Sequence, residues 1–218
     1  MPAIAYDRMT MDEGIGRAPT RFQPGESPFR AKGTLWLGFS AYADFHVGGG
    51  LAALRETLPP ALREFFSQAF IAASWYDVMP VVQISQAIAS MNLIGHMEQV
   101  RRMGVWHGEQ DLNGVYKQLL KQSTPQAICR RFASIYSQLY NFGRAEIVAE
   151  QENKVEACAY GMPEPLAGWW MKASESYLHP ILAAAGARAS KMTWLPLQPD
   201  GERDGVRLVR CPSQTTWV

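Results

Sequence analysis

Cysteine is scarce in this chain: Cys129, Cys158 and Cys211 stand far apart, with no Cys-x-x-Cys among them. An odd, scattered set implies neither a disulfide framework nor a zinc knuckle, and it fits a reducing compartment. Histidine is scarce too. His46, His96, His107 and His179 show no His-x-x-x-His or His-Glu-x-x-His spacing, so no local structural zinc site is expected. Charge of one sign is also lacking: 21 basic against 20 acidic residues leave a net charge of +1, which gives no field for a polyanion. Nucleic acid is therefore not an expected partner. The pairs Arg101/Arg102 and Arg130/Arg131 read as solvated helix faces. No apolar run reaches the ~18 residues of a membrane span, and "MPAIAYDRMTMDEGIG" carries acids without a signal-peptide core. The expectation is a soluble, cytoplasmic protein with no membrane partner. No Gly-x-Ser-x-Gly elbow is present, and "GGG" at 48–50 lacks the Lys-Ser/Thr of a phosphate loop. No enzyme class is supported.

What is present is material for one core. Hydrophobic residues make up 47% and charged residues 19% of 218 residues, the balance of a single globular domain. Residues 1–30, with Pro2, Pro19, Pro24 and Pro28, read as an irregular or mobile arm, and 31–218 as one domain. Thr34 to Leu37, between Gly33 and Gly38, reads as a short buried strand. "GLAALRETL" stops at Pro59–Pro60, and Pro60 opens the next helix, where a missing N–H costs nothing. Asp77 reads as the N-cap of a long helix, with Val81, Ile84, Ile88 and Met91 on one stripe and an end near Met103.

Leu112, Val115 and Leu119 mark a further helix, and Thr124–Pro125 starts another that carries Ile128, Phe132, Ile135, Tyr136 and Leu139. After Gly143 the period becomes two. "RAEIVAEQENKVEACAYG" predicts a hairpin, then "PEPLAGWWMKASESYLHPILAAAGA" a helix with Pro180 inside and Gly186 at its end. "SKMTWLPLQ" and "VRLVRC" flank the turn residues "PDGERDG" as a closing hairpin. The fold class expected is α+β, with helices packed on one side of an antiparallel sheet of about five strands.

Five residues are candidates for contact with a ligand. Trp75 and Tyr76, in "ASWYDVMP", would fill a corner between helices, as core packing or as a ligand contact. His96 lies about 80° from Ile88 at 100° per residue, the histidine nearest the apolar stripe. One axial histidine can hold haem, so haem stays open as a cofactor that the residues do not themselves name. Trp169 and Trp170 point about 100° apart on a helix, so at most one can be central in the core. The other would be exposed, in an interface, or on a ligand.

"AKGTLWLG", "ASWYDVMP", "GVYKQLL" and "YNFGRAEIV", in that order over residues 30–211, resemble an uncharacterised family expanded in myxobacteria. The C-terminal order of hairpin, helix and hairpin is similar to 4-vinyl-reductase-type domains and, more distantly, to haem nitric-oxide-binding domains. That resemblance implies a small-molecule sensor or carrier, with an apolar pocket between helices and sheet. It departs at the Tyr-x-Ser-x-Arg signature of the haem sensors: "YSQLYNFGR" has those residue types at other spacings. Two readings follow. One is a non-enzymatic binding domain for an apolar or flat small molecule. The other is a homodimeric module for self-association or a protein partner, with its exposed aromatics in the interface.

Overall fold

A computed structural model describes residues 22–114 and 123–218. The first 21 residues of the expected arm lie outside the described residues, as do Val115 and Leu119 of the expected helix, whose Leu112 instead belongs to the helix His96–Asn113. In chain order the elements are β1 (Arg30–Lys32), α1 (Gly33–His46), α2 (Gly50–Thr57), α3 (Pro60–Ser67), β2 (Trp75–Asp77), α4 (Val81–Met91), α5 (His96–Asn113), α6 (Pro125–Leu139), β3 (Arg144–Gln151), β4 (Lys154–Pro163), α7 (Glu164–Ala184), β5 (Lys191–Trp194), β6 (Gln198–Arg203) and β7 (Val206–Thr216).

The α+β class is as expected. Five antiparallel strands form a sheet in the order β3-β4-β7-β5, with β6 also paired to β7. The helices α6 and α7 pack on this sheet, and α5 packs on α7. Local chemistry accounts for several boundaries. Pro60 is the first residue of α3, and Thr124 Oγ1 accepts from the Ala127 N–H at 3.2 Å, capping α6 in front of Pro125. Gly186, at φ 91°, follows α7 in the left-handed conformation that a helix end favours. No described helix is long and apolar enough to cross a membrane.

Four expectations change. Thr34 to Leu37 belong to α1; the strand is the preceding Arg30–Lys32, paired antiparallel with Trp75–Asp77 in a separate ribbon. Across Gly38 the buried residues Trp36, Phe39, Tyr42 and Ala43 recur at helical intervals, which outweighs the glycine boundary. Asp77 is not a helix cap. Its Oδ1 accepts from the Met79 N–H at 2.9 Å, and its Oδ2 from Gly25 and Ser27 at 2.9 and 3.2 Å. It thus ties the segment before β1 to the end of β2, and within that segment Ser27 and Phe29 are fully buried.

The expected long helix is two. Leu93, at φ 54°, takes the left-handed position after α4, while Leu93 N–H donates to Ser90 O and Ile94 N–H to Ala89 O, the bonding of a Schellman stop. A leucine there gives the sequence no stop signal. In the last hairpin the turn is Asp204–Gly205, and most of "PDGERDG" lies within β6.

The helices α5 and α7 approach each other at two glycines. A Cβ on Gly104 would fall 2.7 Å from Ser176 Cβ and 2.9 Å from the Ala173 carbonyl oxygen. One on Gly108 would fall 2.5 Å from the Tyr177 carbonyl oxygen and 2.8 Å from Pro180 Cγ. Two glycines four residues apart share a helix face, so α5 meets backbone with backbone along it. Gly108→Val is expected to destabilise the fold by about 2–3 kcal/mol, through overpacking that no rotamer relieves. For a chain of this size that lowers Tm by roughly 5–10 °C. Gly48→Ala, which meets nothing within 4 Å, serves as the control. Equal melting temperatures for the two variants would contradict this packing.

Candidate functional site

Because α5 is drawn onto α7 along one face, the neighbouring face looks across to α1 and α6. Between these four helices and the end of β1 lies a cavity of about 390 Å³, within the range of small-molecule sites. Phe39, Met103, Tyr136, Trp169 and Trp170 line its apolar part. Phe132 and Tyr177, stacked with centroids 6.0 Å apart, line it beside Asp111 and the exposed Gln110. No residue of the five-stranded sheet lines it, so the cavity lies among helices rather than between helices and sheet.

Its polar groups are few. His107 lies on α5 one turn beyond Met103 and lines the cavity. Burial lowers its pKa to about 4, so the ring is neutral. A Cβ on Gly38 would lie 2.7, 3.3 and 3.4 Å from His107 Cε1, Nε2 and Nδ1, so this edge of the ring packs on the α1 backbone. Burial also raises the Tyr140 phenol to about 12, against a lowering hydrogen bond from Trp170. The buried Trp169 Nε1 has no partner among the described residues. Asp111 Oδ2 accepts from the Tyr177 hydroxyl at 2.6 Å. Lys32 is the one cation among the described lining residues; its Nζ donates to Ala73 O at 2.6 Å and stands 4.0 Å from the Trp75 ring centroid.

Of the five residues singled out in the sequence, the structure brings Trp169 and Trp170 together at the cavity. Both are buried, at 3% and 5% exposure, although their directions differ. Of the three alternatives for the second tryptophan, exposed, in an interface or on a ligand, exposure is ruled out: α7 is sandwiched between α5 on one side and the sheet and α6 on the other, so two of its faces are interior. Trp75 and Tyr76 lie away from the cavity on β2, where the Tyr76 hydroxyl accepts from the Ile71 N–H at 2.9 Å. His96 lies at the start of α5, its Nε2 2.7 Å from Ser85 Oγ, and also away from the cavity. The sequence reading passed over His107 and Asp111. The signal was the series Val100, Met103, His107 and Asp111 at helical spacing, which becomes visible once α5 is separated from α4.

No family model matches the chain, and no curated protein does. Solved structures do. An oxygen-binding H-NOX domain related to soluble guanylate cyclases, in its oxygen complex, aligns with TM-score 0.61 at 11% identity over 85% of this chain and 94% of that one. A point variant of the Tt H-NOX, with leucine in place of a phenylalanine, aligns with TM-score 0.62 at 10% identity, over 85% and 94%. The Fe(II) unliganded H-NOX protein from K. algicida gives 0.53 at 11%, over 84% and 96%. The chain has an H-NOX-like fold. At these identities the likeness is one of fold alone, and what the cavity holds must be argued from its own lining.

Haem, named in the descriptions of two similar structures, one on haem redox potential and porphyrin distortion and one on haem distortion in the H-NOX family, is testable against that lining. A haem presents two carboxylates and needs an axial ligand. Tyr140 and Arg144 do stand at the haem sensors' signature spacing in "YNFGR", a correction to the sequence reading, with Phe142 in place of the serine. Arg144, however, is exposed on β3, bonded to Glu146 at 2.6 Å and 4.4 Å from the Tyr160 ring centroid. No described arginine lines the cavity, the one lysine among the described lining residues is engaged elsewhere, and His107 turns its nitrogen-bearing edge to α1. The described residues do not fit haem.

The neutral His107 has a stability consequence. Unfolded, it takes up a proton near 6.5; folded, it does so only near 4. Between those values the unfolded chain binds more protons, so stability falls as pH drops through the window. Burial shifts His96 in the same direction. Denaturant unfolding is expected to show His107 contributing a loss of about 1–2 kcal/mol from pH 7 to pH 5. His107→Gln should flatten the profile, leaving the smaller contributions of other shifted groups such as His96 and Asp77. A slope unchanged by that substitution would contradict the buried, neutral ring.

Proposed function

We propose that this chain is a small-molecule-binding domain of the sensor or carrier type, taking a flat, largely apolar ligand between α1, α5, α6 and α7. The observation that carries the proposal is the cavity of about 390 Å³ lined by Trp169, Trp170, Tyr136 and Phe39. Aromatic side chains with few polar groups are the usual lining of such a site, because they give contact area at small entropic cost. The fold supports the reading at a coarser level, since domains of this shape include one described as oxygen-binding. A reading as an interface module rested on the exposure of Trp169 or Trp170, and both are buried within the chain. The ligand would act by its fit against α1 and α6, which close the cavity opposite the α5–α7 pair.

The test uses Nile red, a neutral flat dye. Its fluorescence is expected to rise and saturate at one dye per chain. Ala173→Leu, which fills the cavity from α7, and Thr34→Trp, which crowds it from the first turn of α1, should each abolish saturable binding at unchanged Tm. Non-saturable binding, or saturable binding indifferent to both substitutions, would overturn the proposal.

A further inference from the structure

The charges on the cavity lining point to a ligand class, given the reading that the cavity binds a ligand. Two charged side chains line it among the described residues, Lys32 and Asp111. The Lys32 ammonium is already placed against Ala73 O and the Trp75 ring, both outside the cavity. Asp111 is different. One of its oxygens accepts from the Tyr177 hydroxyl, and it forms no ion pair with any described residue. The lining therefore offers a carboxylate with an oxygen to spare, beside the Phe132–Tyr177 stack, and no free cation among the described residues to balance it.

The rest of the lining agrees. Trp169, Trp170, Tyr136, Tyr140 and Phe39 line it with aromatic rings, and the negative face of such a ring attracts a cation, most strongly where water is displaced. His107 is neutral and sets no positive charge against one. A carboxylate at one end of an aromatic enclosure repels an anion and complements an ammonium or a protonated ring nitrogen.

We infer that the ligand is a flat organic cation, its charged group taken by Asp111 and its ring system enclosed by the tryptophans and tyrosines. Such a ligand has the opposite charge to haem, and the same lining that among its described residues offers no free cation for haem carboxylates supplies an anion for it.

Three acridines of one shape test this: 9-aminoacridine, cationic at neutral pH; acridine, neutral; and acridine-9-carboxylate, an anion. Binding is read by quenching of protein tryptophan fluorescence on the full chain. The cation is expected to bind about tenfold more tightly than neutral acridine, and the anion more weakly than both. Asp111→Asn keeps an acceptor for Tyr177, so the fold is retained. It should remove about tenfold from the cation and nothing from acridine. Equal binding of cation and acridine, tighter binding of the carboxylate, or a cation affinity indifferent to Asp111→Asn would overturn the charge inference while leaving the cavity standing. Failure of all three probes to bind would overturn the cavity reading with it.

Discussion

The contact of α5 with α7 through Gly104 and Gly108 sets the geometry on which the candidate site depends. With no side chain at either position, α5 lies against the backbone of Ala173 and Tyr177, closer than any larger residue would permit. That places Val100, Met103, His107 and Asp111 on a neighbouring face, level with Trp169 and Ala173. The helix α1 meets α5 at a third glycine, Gly38, where the His107 ring rests on the backbone. Because α5 is seated on α7 by backbone and on α1 by one imidazole ring, the space between the three helices and α6 is fixed by main-chain approach. Side-chain volume then decides only how much of it is filled.

Much of the fold was legible because its signals are local. The Pro60 and Thr124–Pro125 helix starts, the period-two runs on either side of Glu150 to Asn153 and the Gly186 stop each state a backbone preference within a few residues. What misled was punctuation that serves tertiary contact. Gly38 looks like the end of a strand, yet it lies inside α1 so that His107 can approach. Leu93 adopts a conformation usually left to glycine, so the break between α4 and α5 carries no marker. Asp77 has the composition of a helix cap but accepts from residues about fifty positions earlier, a bond that no window of sequence reveals.

The site was half legible for a related reason. The Trp169–Trp170 pair stood out by composition, and both residues line the cavity. Trp75 and Tyr76 stood out as strongly and lie in the small β1–β2 ribbon, because aromatic content alone does not tell which enclosure it fills. His107 and Asp111 were hidden by the merging of α4 and α5, which shifted attention to His96 on a supposed stripe. The resemblance to haem sensors correctly anticipated the fold. The lining of the cavity, a carboxylate without an ion pair and no free cation among the described residues, depends on which side chains the helices bring together.

The most direct test of the central claim, that main-chain contact among these helices leaves a ligand-sized apolar space, is a crystal structure of the chain under xenon pressure. Xenon enters apolar cavities without needing polar partners. The account expects a xenon atom among Met103, Tyr136 and Trp169, with Gly104 and Gly108 still seated on α7. A structure with α1 and α6 closed over those side chains and no xenon between them would contradict it.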